Sequence, residues 1–446
     1  ESFYVGAAYQ NSYSYFGAPG YAMPKMPEHS HGNKPQEKIE YLPINVMSLT
    51  HKAMLESAYK FRNFPLASIK LSYMGVFSEN TEMLGRRRAN QLDVNQHNGR
   101  VELVQQKMKF LTGTTGVEVQ YREMDSSGNL RYLPNNISRE IGFYTMQHLN
   151  FNFLEFDLGY RNDHVQRRAD ADKNYVRSRG MSGGKLSDRD FTLNQYHAGM
   201  TWNIFKKAYL RAQYNHSERA PEINELYAGN NHYALMVEEN GDDRLDKEVA
   251  KTWEIGGGLN LKNVRLSASW YHTKYDNYIY LAHTGISRAG GFSVKEWRSD
   301  NTEINGIEAE AAYKFDLTKF GKWEVGSYFD LVRNISVADS SIRKWSDGDY
   351  MPNMPTSRFG FNLAGTIDRF SLNVSLDHYM KQKYLGKNIN PELPMPAYSL
   401  LNARISYEST LSNLNIEYYI TGNNLLNKEA RPQNSPLKFL APLPGI

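Results

Sequence analysis

The chain has no cysteine in 446 residues, so it can form neither a disulfide framework nor a thiolate metal site. Cysteine avoidance is also typical of proteins in oxidising compartments. A run of about eighteen apolar residues is missing too, which excludes a membrane-spanning helix. Positive and negative charges are nearly balanced, because 52 Lys and Arg residues and 48 Asp and Glu residues give a net charge of +4. Without a basic block, a nucleic-acid partner is not expected.

What is abundant is tyrosine, with 31 residues, and a polar/apolar alternation of period two. In 370–377 the even positions are apolar and the odd positions polar, and the same pattern recurs in 264–271 and 208–215. Successive side chains of a strand point to opposite faces, so each segment is predicted to be a two-faced strand.

The predicted connections alternate in length. Short turns are predicted at 60–65, 110–116, 149–153, 202–207, 259–263, 366–370 and 408–413. Between them fall long loops at about 17–45, 80–95, 125–138, 166–190, 217–247, 282–296, 336–355 and 384–397. This alternation is typical of an antiparallel transmembrane β-barrel, with short periplasmic turns and long extracellular loops. It gives about seventeen strands.

A soluble β-sandwich is the alternative all-β architecture. It would require the apolar faces to meet in a common core. The polar faces carry charges such as Arg265, Glu308 and Asp377, which suit a wet lumen, while lipid accepts the apolar faces. The barrel is therefore the favoured fold.

Two loop segments contain residues that could bind a metal ion. "PEHSH" places Glu28, His29 and His31 together, and imidazole with carboxylate is a zinc ligand set. At the start of and within the loop 217–247, four residues could meet a ligand: His216, His232, Glu238 and Glu239. In both segments the alternative is a solvated loop.

Other residues of the same loop are predicted to hold it in place. Arg219, Glu222 and Glu225 could form Arg–carboxylate pairs at the loop mouth. A haem alternative uses His283 and Tyr280, against an interfacial aromatic cluster as the other interpretation. "GRRRAN" (85–90) could contact lipopolysaccharide phosphates or be solvated.

The chain is not predicted to be an enzyme. It has no nucleophile elbow, no HExxH and no P-loop. Its Ser, His and Asp residues are scattered, so catalytic residues are not assigned.

Two stretches resemble a known family. The tail "YITGNNLLNKEARPQNSPLKFLAPLPGI", with Asn424–Asn427 and Pro444-Gly445, resembles the C-terminal part of TonB-dependent outer-membrane receptors. "SERAPEINELYAGNNHYA" and "LDKEVAKTWEIG" are similar to the branch of ZnuD-like zinc receptors, whose loop reads Glu-Arg-x-Pro, Glu-Leu-Tyr-Ala and then a His. His232 matches that His, while Gly229 stands where the branch tends to have another.

The resemblance implies a barrel of about twenty-two strands around an N-terminal plug. Residues 1–446 are then expected to be an incomplete barrel, with the plug, the first strands and the last strand outside this sequence. The implied function is TonB-energised uptake of a scarce nutrient, most simply zinc, across the outer membrane of a Gram-negative bacterium. No cofactor is required, and the TonB complex would engage the plug segment.

Two alternatives stay open at this point. The transported ligand could be haem or a metal chelate such as a siderophore. A function of another class is a surface all-β adhesin or glycan-binding protein.

Overall fold

The computed structural model describes residues 2–24, 41–62, 64–128, 131–170, 175, 186–288, 290–337, 350–386, 392–412, 414–435, 438–439 and 442–443. Nearly all of them are extended, and 19 strands form one sheet. Within these residues no helix is long and apolar enough to cross a membrane.

The strands before the longest described loop are β1 (Ser2–Pro24), β2 (Tyr41–Lys60), β3 (Leu66–Leu84), β4 (Arg87–Gln105), β5 (Leu111–Ser127), β6 (Asn135–Asn150), β7 (Leu154–Asp170), β8 (Arg189–Phe205) and β9 (Ala208–Arg219). The loop itself contains α1 (Ile223–Tyr227), β10 (Gly229–His232), a 3-10 turn (Tyr233–Leu235) and β11 (Val237–Asn240). After it come β12 (Glu248–Asn260), β13 (Val264–Ser287), β14 (Ser293–Asp316), β15 (Lys322–Val337), β16 (Arg358–Ile367), β17 (Phe370–Tyr379), β18 (Tyr398–Leu411) and β19 (Leu414–Gly422), with a 3-10 turn (Thr318–Phe320) between β14 and β15.

The long strands form an antiparallel meander. Each pairs with the next along the chain, and β9 pairs with β12 across the loop. Apart from the four-residue strands β10 and β11, the described part holds seventeen strands, which confirms the predicted all-β antiparallel architecture and strand number. Every second connection is only a few residues long, beginning with those from β2 to β3 and from β4 to β5. These connections define the short-turn end of the sheet. The opposite end is called the long-loop end.

The two faces of the sheet differ as the alternation predicted. One face, the apolar face, exposes side chains such as Leu210, Leu266 and Trp270. The other face, the polar face, carries ion pairs between neighbouring strands, for example Lys70 with Glu102 at 3.0 Å. Charged side chains on one face and exposed apolar side chains on the other are the arrangement of a membrane barrel wall.

Several predicted loops are in fact strand. Residues 80–95 are not a long loop, because β3 and β4 meet in a tight hairpin in which Gly85 has φ +58°. Likewise β13 and β14 extend through most of 282–296. The predicted turn at 110–116 is also wrong, since β5 begins at Leu111. Beyond the membrane level both faces of a strand meet protein or water, so the alternation that marks a strand is lost there.

The main buried clusters lie at the long-loop end, on the two faces of the β13–β14 extension. On one face, Ile279 packs with Leu226 and Tyr227 of the loop. On the other, Tyr280 packs with Met351 and Met354. The strand β11 adds to the free edge of β14 in parallel, so the loop between β9 and β12 is part of the sheet.

Candidate functional site

The loop of residues 220–247, called here the mouth loop, is ordered by a short helix at its start. A capping box forms at α1, in which the Glu225 carboxylate accepts a hydrogen bond of 2.7 Å from the backbone N–H of Glu222. Side chains that satisfy the first N–H groups stabilise a helix too short to be stable by itself. Leu226 and Tyr227 are thereby fixed in the buried cluster.

Arg219 connects the helix to the barrel wall. Its guanidinium lies 2.8 Å from Glu225 and 3.3 Å from Glu248. Glu248 in turn accepts a hydrogen bond of 2.8 Å from the backbone N–H of Ile279. The structure therefore brings together Arg219 and Glu225, two of the three predicted loop-structuring residues.

The third, Glu222, faces a different group of cations. Its carboxylate lies 3.6 Å from Arg122 and 3.8 Å from Arg167. These arginines belong to β5 and β7, so Glu222 ties the start of the loop to strands that are distant in sequence.

His232 lies at the centre of a charged cluster. Its Nδ1 is 3.2 Å from Glu239 and its Nε2 is 3.4 Å from Glu82. One side of the ring stacks on Tyr132, with 4.4 Å between ring centroids. Burial opposes the charged form, but the hydrogen bond to Glu239 and the charges of Glu82 and Glu239 outweigh it and raise the pKa of His232.

Both carboxylates have further hydrogen-bond donors. Glu82 accepts from Asn90 at 2.7 Å and from the backbone N–H groups of Tyr233 and Ala234. Glu239 accepts from Trp297 Nε1 at 2.8 Å. The cluster is therefore an imidazole between two carboxylates, each of which accepts further hydrogen bonds.

Glu238 does not join this cluster. It neighbours Glu239 in β11 and therefore points to the other side of the strand. There it forms a bidentate pair with Arg288, at 2.8 and 3.0 Å. Of the predicted ligand-binding residues that the structure describes, it brings together His232 and Glu239 only.

His283 and Tyr280 are likewise separated. They lie on β13 an odd number of positions apart, on opposite faces. The Tyr280 hydroxyl donates to Asp300 at 2.7 Å and is buried against Met351.

A second charged group surrounds His283. It pairs across the strands with Lys295, and Lys438 is close enough to act on both. A strand of about 9–11 residues crosses a membrane, and His283 is near the far end of the 24-residue β13, beyond that span. Burial, with the charges of Lys295 and Lys438, lowers the pKa of His283 to about 4. At neutral pH the imidazole is therefore uncharged.

The two groups are neighbours on one face of the β13–β14 extension. Lys295 pairs with Glu239 in the register of β11 and β14, and the Glu239 charge acts on Lys295. Lys438 forms an ion pair of 2.8 Å with Glu392. The resulting mouth cluster, defined as Glu82, His232, Glu239, His283 and Lys295, combines two imidazoles, two carboxylates and an amine.

Sequence reasoning missed Glu82, Tyr132, Lys295 and Trp297. They belong to distant strands or loops, and no local motif marks them. Among the described residues no group of three His, Asp or Glu is arranged to hold a metal ion. The predicted ligands Glu28, His29 and His31 lie outside the described residues.

The sequence matches the family described as "TonB dependent receptor-like, beta-barrel" over residues 8–425. It is similar to heme/hemopexin utilization protein C of Haemophilus influenzae (strain 86-028NP), with 21% identity over an alignment of 258 residues that covers 52% of this chain and 34% of the relative. It is also similar to hemoglobin-haptoglobin utilization protein B of Neisseria meningitidis serogroup C, with 30% identity over 135 residues, 30% of this chain and 16% of that protein.

Among solved structures, the copper transporter OprC superposes with a TM-score of 0.72 at 14% identity, covering 91% of this chain and 68% of that one. Such a likeness at low identity establishes the fold. The matched part of this chain spans about a third or less of the length of the two curated relatives.

Proposed function

The chain belongs to the TonB-dependent receptor-like β-barrel family of the Gram-negative outer membrane, and we propose that the complete receptor imports haem, with the TonB complex supplying energy through a plug segment. Family and fold are those of transport receptors rather than enzymes. The family match also leaves the adhesin alternative without support.

The observation that carries the haem proposal is the uncharged imidazole of His283, which lies opposite Lys295 across the strands and is acted on by the charge of Lys438. Haem iron takes a neutral imidazole as axial ligand. The carboxylates that haem carries on its edge match ammonium groups, and Lys295 and Lys438 are the cations that act on His283. The names of the two curated relatives, for heme/hemopexin and hemoglobin-haptoglobin utilization, support the same ligand class.

In this proposal the mouth loop controls access. It pairs with β14 through β11 and places Glu239 beside Lys295. Haem that bound at His283 would compete with Glu239 for Lys295, so ligand binding would loosen the attachment of the loop. Tyr280 has no part in this site, because it donates to Asp300 on the other face.

Zinc is the second candidate ligand, and the cluster around His232 favours it. Glu82 and Glu239 lie within 3.4 Å of the two imidazole nitrogens. An imidazole nitrogen and a carboxylate oxygen are both zinc ligands. The two carboxylates face opposite nitrogens of the His232 ring. One of them would therefore have to move to the side on which the other lies before both could bind the same zinc ion. Glu28, His29 and His31, together with the resemblance to the ZnuD-like branch, belong to this candidate.

The two candidates can be separated on the complete receptor purified in detergent. Haem is titrated by its absorbance and zinc is measured by elemental analysis, for the parent and for His283→Ala, His232→Ala and His164→Ala, the last an exposed control. The haem proposal predicts that His283→Ala weakens haem binding about tenfold or more, while His164→Ala binds like the parent.

Two results would overturn it. If the parent binds no haem but holds zinc that is lost in His232→Ala, zinc is the ligand. If it binds neither, a metal chelate such as a siderophore becomes the ligand class to titrate next, and the haem and zinc proposals both fail.

A further inference from the structure

Five histidines lie at one level on the apolar face of the barrel wall. Each is eight or nine residues from the short-turn end of its strand, which is Lys60 in β2, Gln105 in β4, Ala208 in β9, Val264 in β13 and Phe370 in β17. The five are His51, His97, His216, His272 and His378. Each shares its face with an exposed or half-exposed apolar residue an even number of positions away. We call this set the histidine collar.

Each collar histidine contacts an aromatic ring. His51 lies beside Tyr9, with 6.3 Å between ring centroids, and His97 stacks on Tyr73 at 6.1 Å. The equivalent contacts farther round the sheet are His216 with Tyr196, His272 with Trp253 and Trp270, and His378 with Phe359. Aromatic girdles mark the boundary between the apolar band and the headgroups, so the collar lies at a membrane interface.

The collar is at the outer of the two interfaces. Along a strand, eight or nine residues cover about 26–30 Å, and the strand is tilted, so the distance matches an apolar band about 25 Å tall. A second group of exposed aromatic residues, including Phe64, Phe153 and Phe205, lies at the short-turn end. Short turns face the periplasm, and the collar therefore faces the outer leaflet.

The ring orientation is fixed from within the protein. At His97 and His378, Nδ1 bonds to a neighbouring hydroxyl, of Tyr73 at 2.8 Å and of Ser399 at 2.9 Å. At His51, Nδ1 accepts from the Asn11 amide at 2.9 Å, which leaves the ring hydrogen on Nε2. Two members differ: Nε2 of His216 faces Glu218, and His272 donates from Nδ1 to the Asn305 amide oxygen while its Nε2 lies 3.8 Å from Glu303.

We propose that three members of the histidine collar, His51, His97 and His378, bind the phosphate groups of outer-leaflet lipids through Nε2–H. A phosphate oxygen accepts hydrogen bonds strongly, and an N–H donor at headgroup depth can reach it. Aromatic rings beside each imidazole contact the acyl chains just below. The collar would then fix both the depth of the barrel and its preference for phosphorylated lipid. This inference rests on the outer-membrane location and does not depend on the imported ligand.

The His→Asn and His→Gln substitutions distinguish the two ring nitrogens. The Asn amide occupies roughly the position of Nδ1 and keeps the internal hydrogen bond, whereas the Gln amide reaches the position of Nε2. We would prepare His51, His97 and His378 changed together to Asn, and the same three changed to Gln. His197→Asn is the matched control, because it lies eight residues from the short-turn end of β8 but on the polar face, bonded to Asn215.

The complete receptor in detergent is mixed with bis-phosphorylated lipid A or with the same lipid lacking its phosphates, and bound lipid is counted by native mass spectrometry. The parent and His197→Asn should both prefer the phosphorylated lipid. The three-site Asn variant should lose that preference, and the three-site Gln variant should keep more of it. Each lost hydrogen bond should lower affinity by about 2- to 10-fold.

Equal retention of phosphorylated lipid by the parent and the three-site Asn variant would overturn the proposal, as would a parent that shows no preference for phosphate. If the three-site variants do not fold, as judged by heat-modifiable migration, His97→Asn and His378→Asn are measured singly. Each should reduce the preference by about 2- to 10-fold, and no change in either would equally overturn it.

Discussion

His232 and Tyr132 lie face to face, with ring centroids 4.4 Å apart and 12° between their planes. The stacking holds the imidazole where its two nitrogens meet Glu82 and Glu239. Because Glu82 belongs to β3 and Glu239 to β11, this one ring joins the mouth loop to the barrel wall.

His232→Ala should loosen the mouth loop. Glu239 is only 3% exposed on its side chain and would lose its cation, although Trp297 would still donate to it. We expect the free energy of local opening to fall by about 1–3 kcal/mol. Hydrogen exchange of residues 229–240 measures it, and the exposed His164→Ala should leave it unchanged. Equal protection in parent and His232→Ala would show that the ring does not hold the loop.

The attachment of the loop should depend on pH. The pKa of His232 is raised from its ordinary value of 6.5, so its protonated form stabilises the loop. That stabilisation is complete below about pH 6.5 and is lost as pH rises through the raised pKa. Opening of residues 229–240, corrected for intrinsic exchange, should increase between pH 6 and 9. The increase should be absent in His232→Asn, and its persistence there would assign the effect to another group.

Arg219→Ala should destabilise α1. The Arg219 side chain is 39% exposed, so solvent screens its pairs with Glu225 and Glu248 and the expected loss is about 1 kcal/mol. Arg219→Lys should recover only part of it, because one ammonium cannot make both contacts. Exchange protection of Leu226 and Tyr227 is the measurement. Arg244→Ala, 84% exposed and paired with its neighbour Asp242, is the control expected to have no effect.

Tyr280→Phe should lower stability without changing haem binding. The substitution removes the hydroxyl that donates to Asp300 in a buried environment, a loss of about 1–3 kcal/mol. Tyr278→Phe, on the same face, serves as the control for a change of one hydroxyl. A change in the absorbance spectrum of bound haem in Tyr280→Phe would make Tyr280 a ligand and contradict the site at His283.

The period-two alternation was sufficient to predict the strand number and the two faces of the wall. It succeeded because one face of the wall contacts lipid and the other contacts water, so apolar and polar residues must alternate. Ala208 to Tyr214 and Val264 to Trp270 are examples. The hairpin at Gly85 was missed because the strands there extend beyond the membrane, where alternation of apolar and polar residues is not required. There, burial of Glu82 and Asn90 depends on contacts with the mouth loop.

The site was predicted only in part, for a related reason. Arg219 and Glu225 are close in sequence, and their pairing follows from a helix start. Glu82, Lys295 and Trp297 reach His232 and His283 through the order of the strands, which a local motif does not encode. The same limit explains why Glu238, adjacent to Glu239, was grouped with it although the strand turns it toward Arg288.

We propose that the complete receptor imports haem with energy from TonB and that His283 binds the iron. Uptake of iron-labelled haem tests this in cells whose only haem receptor is the parent or His283→Ala, with TonB present or deleted. We expect uptake by the parent that requires TonB, reduced about tenfold or more in His283→Ala at equal receptor abundance. Uptake that is unchanged in His283→Ala, or absent in the parent, would contradict it.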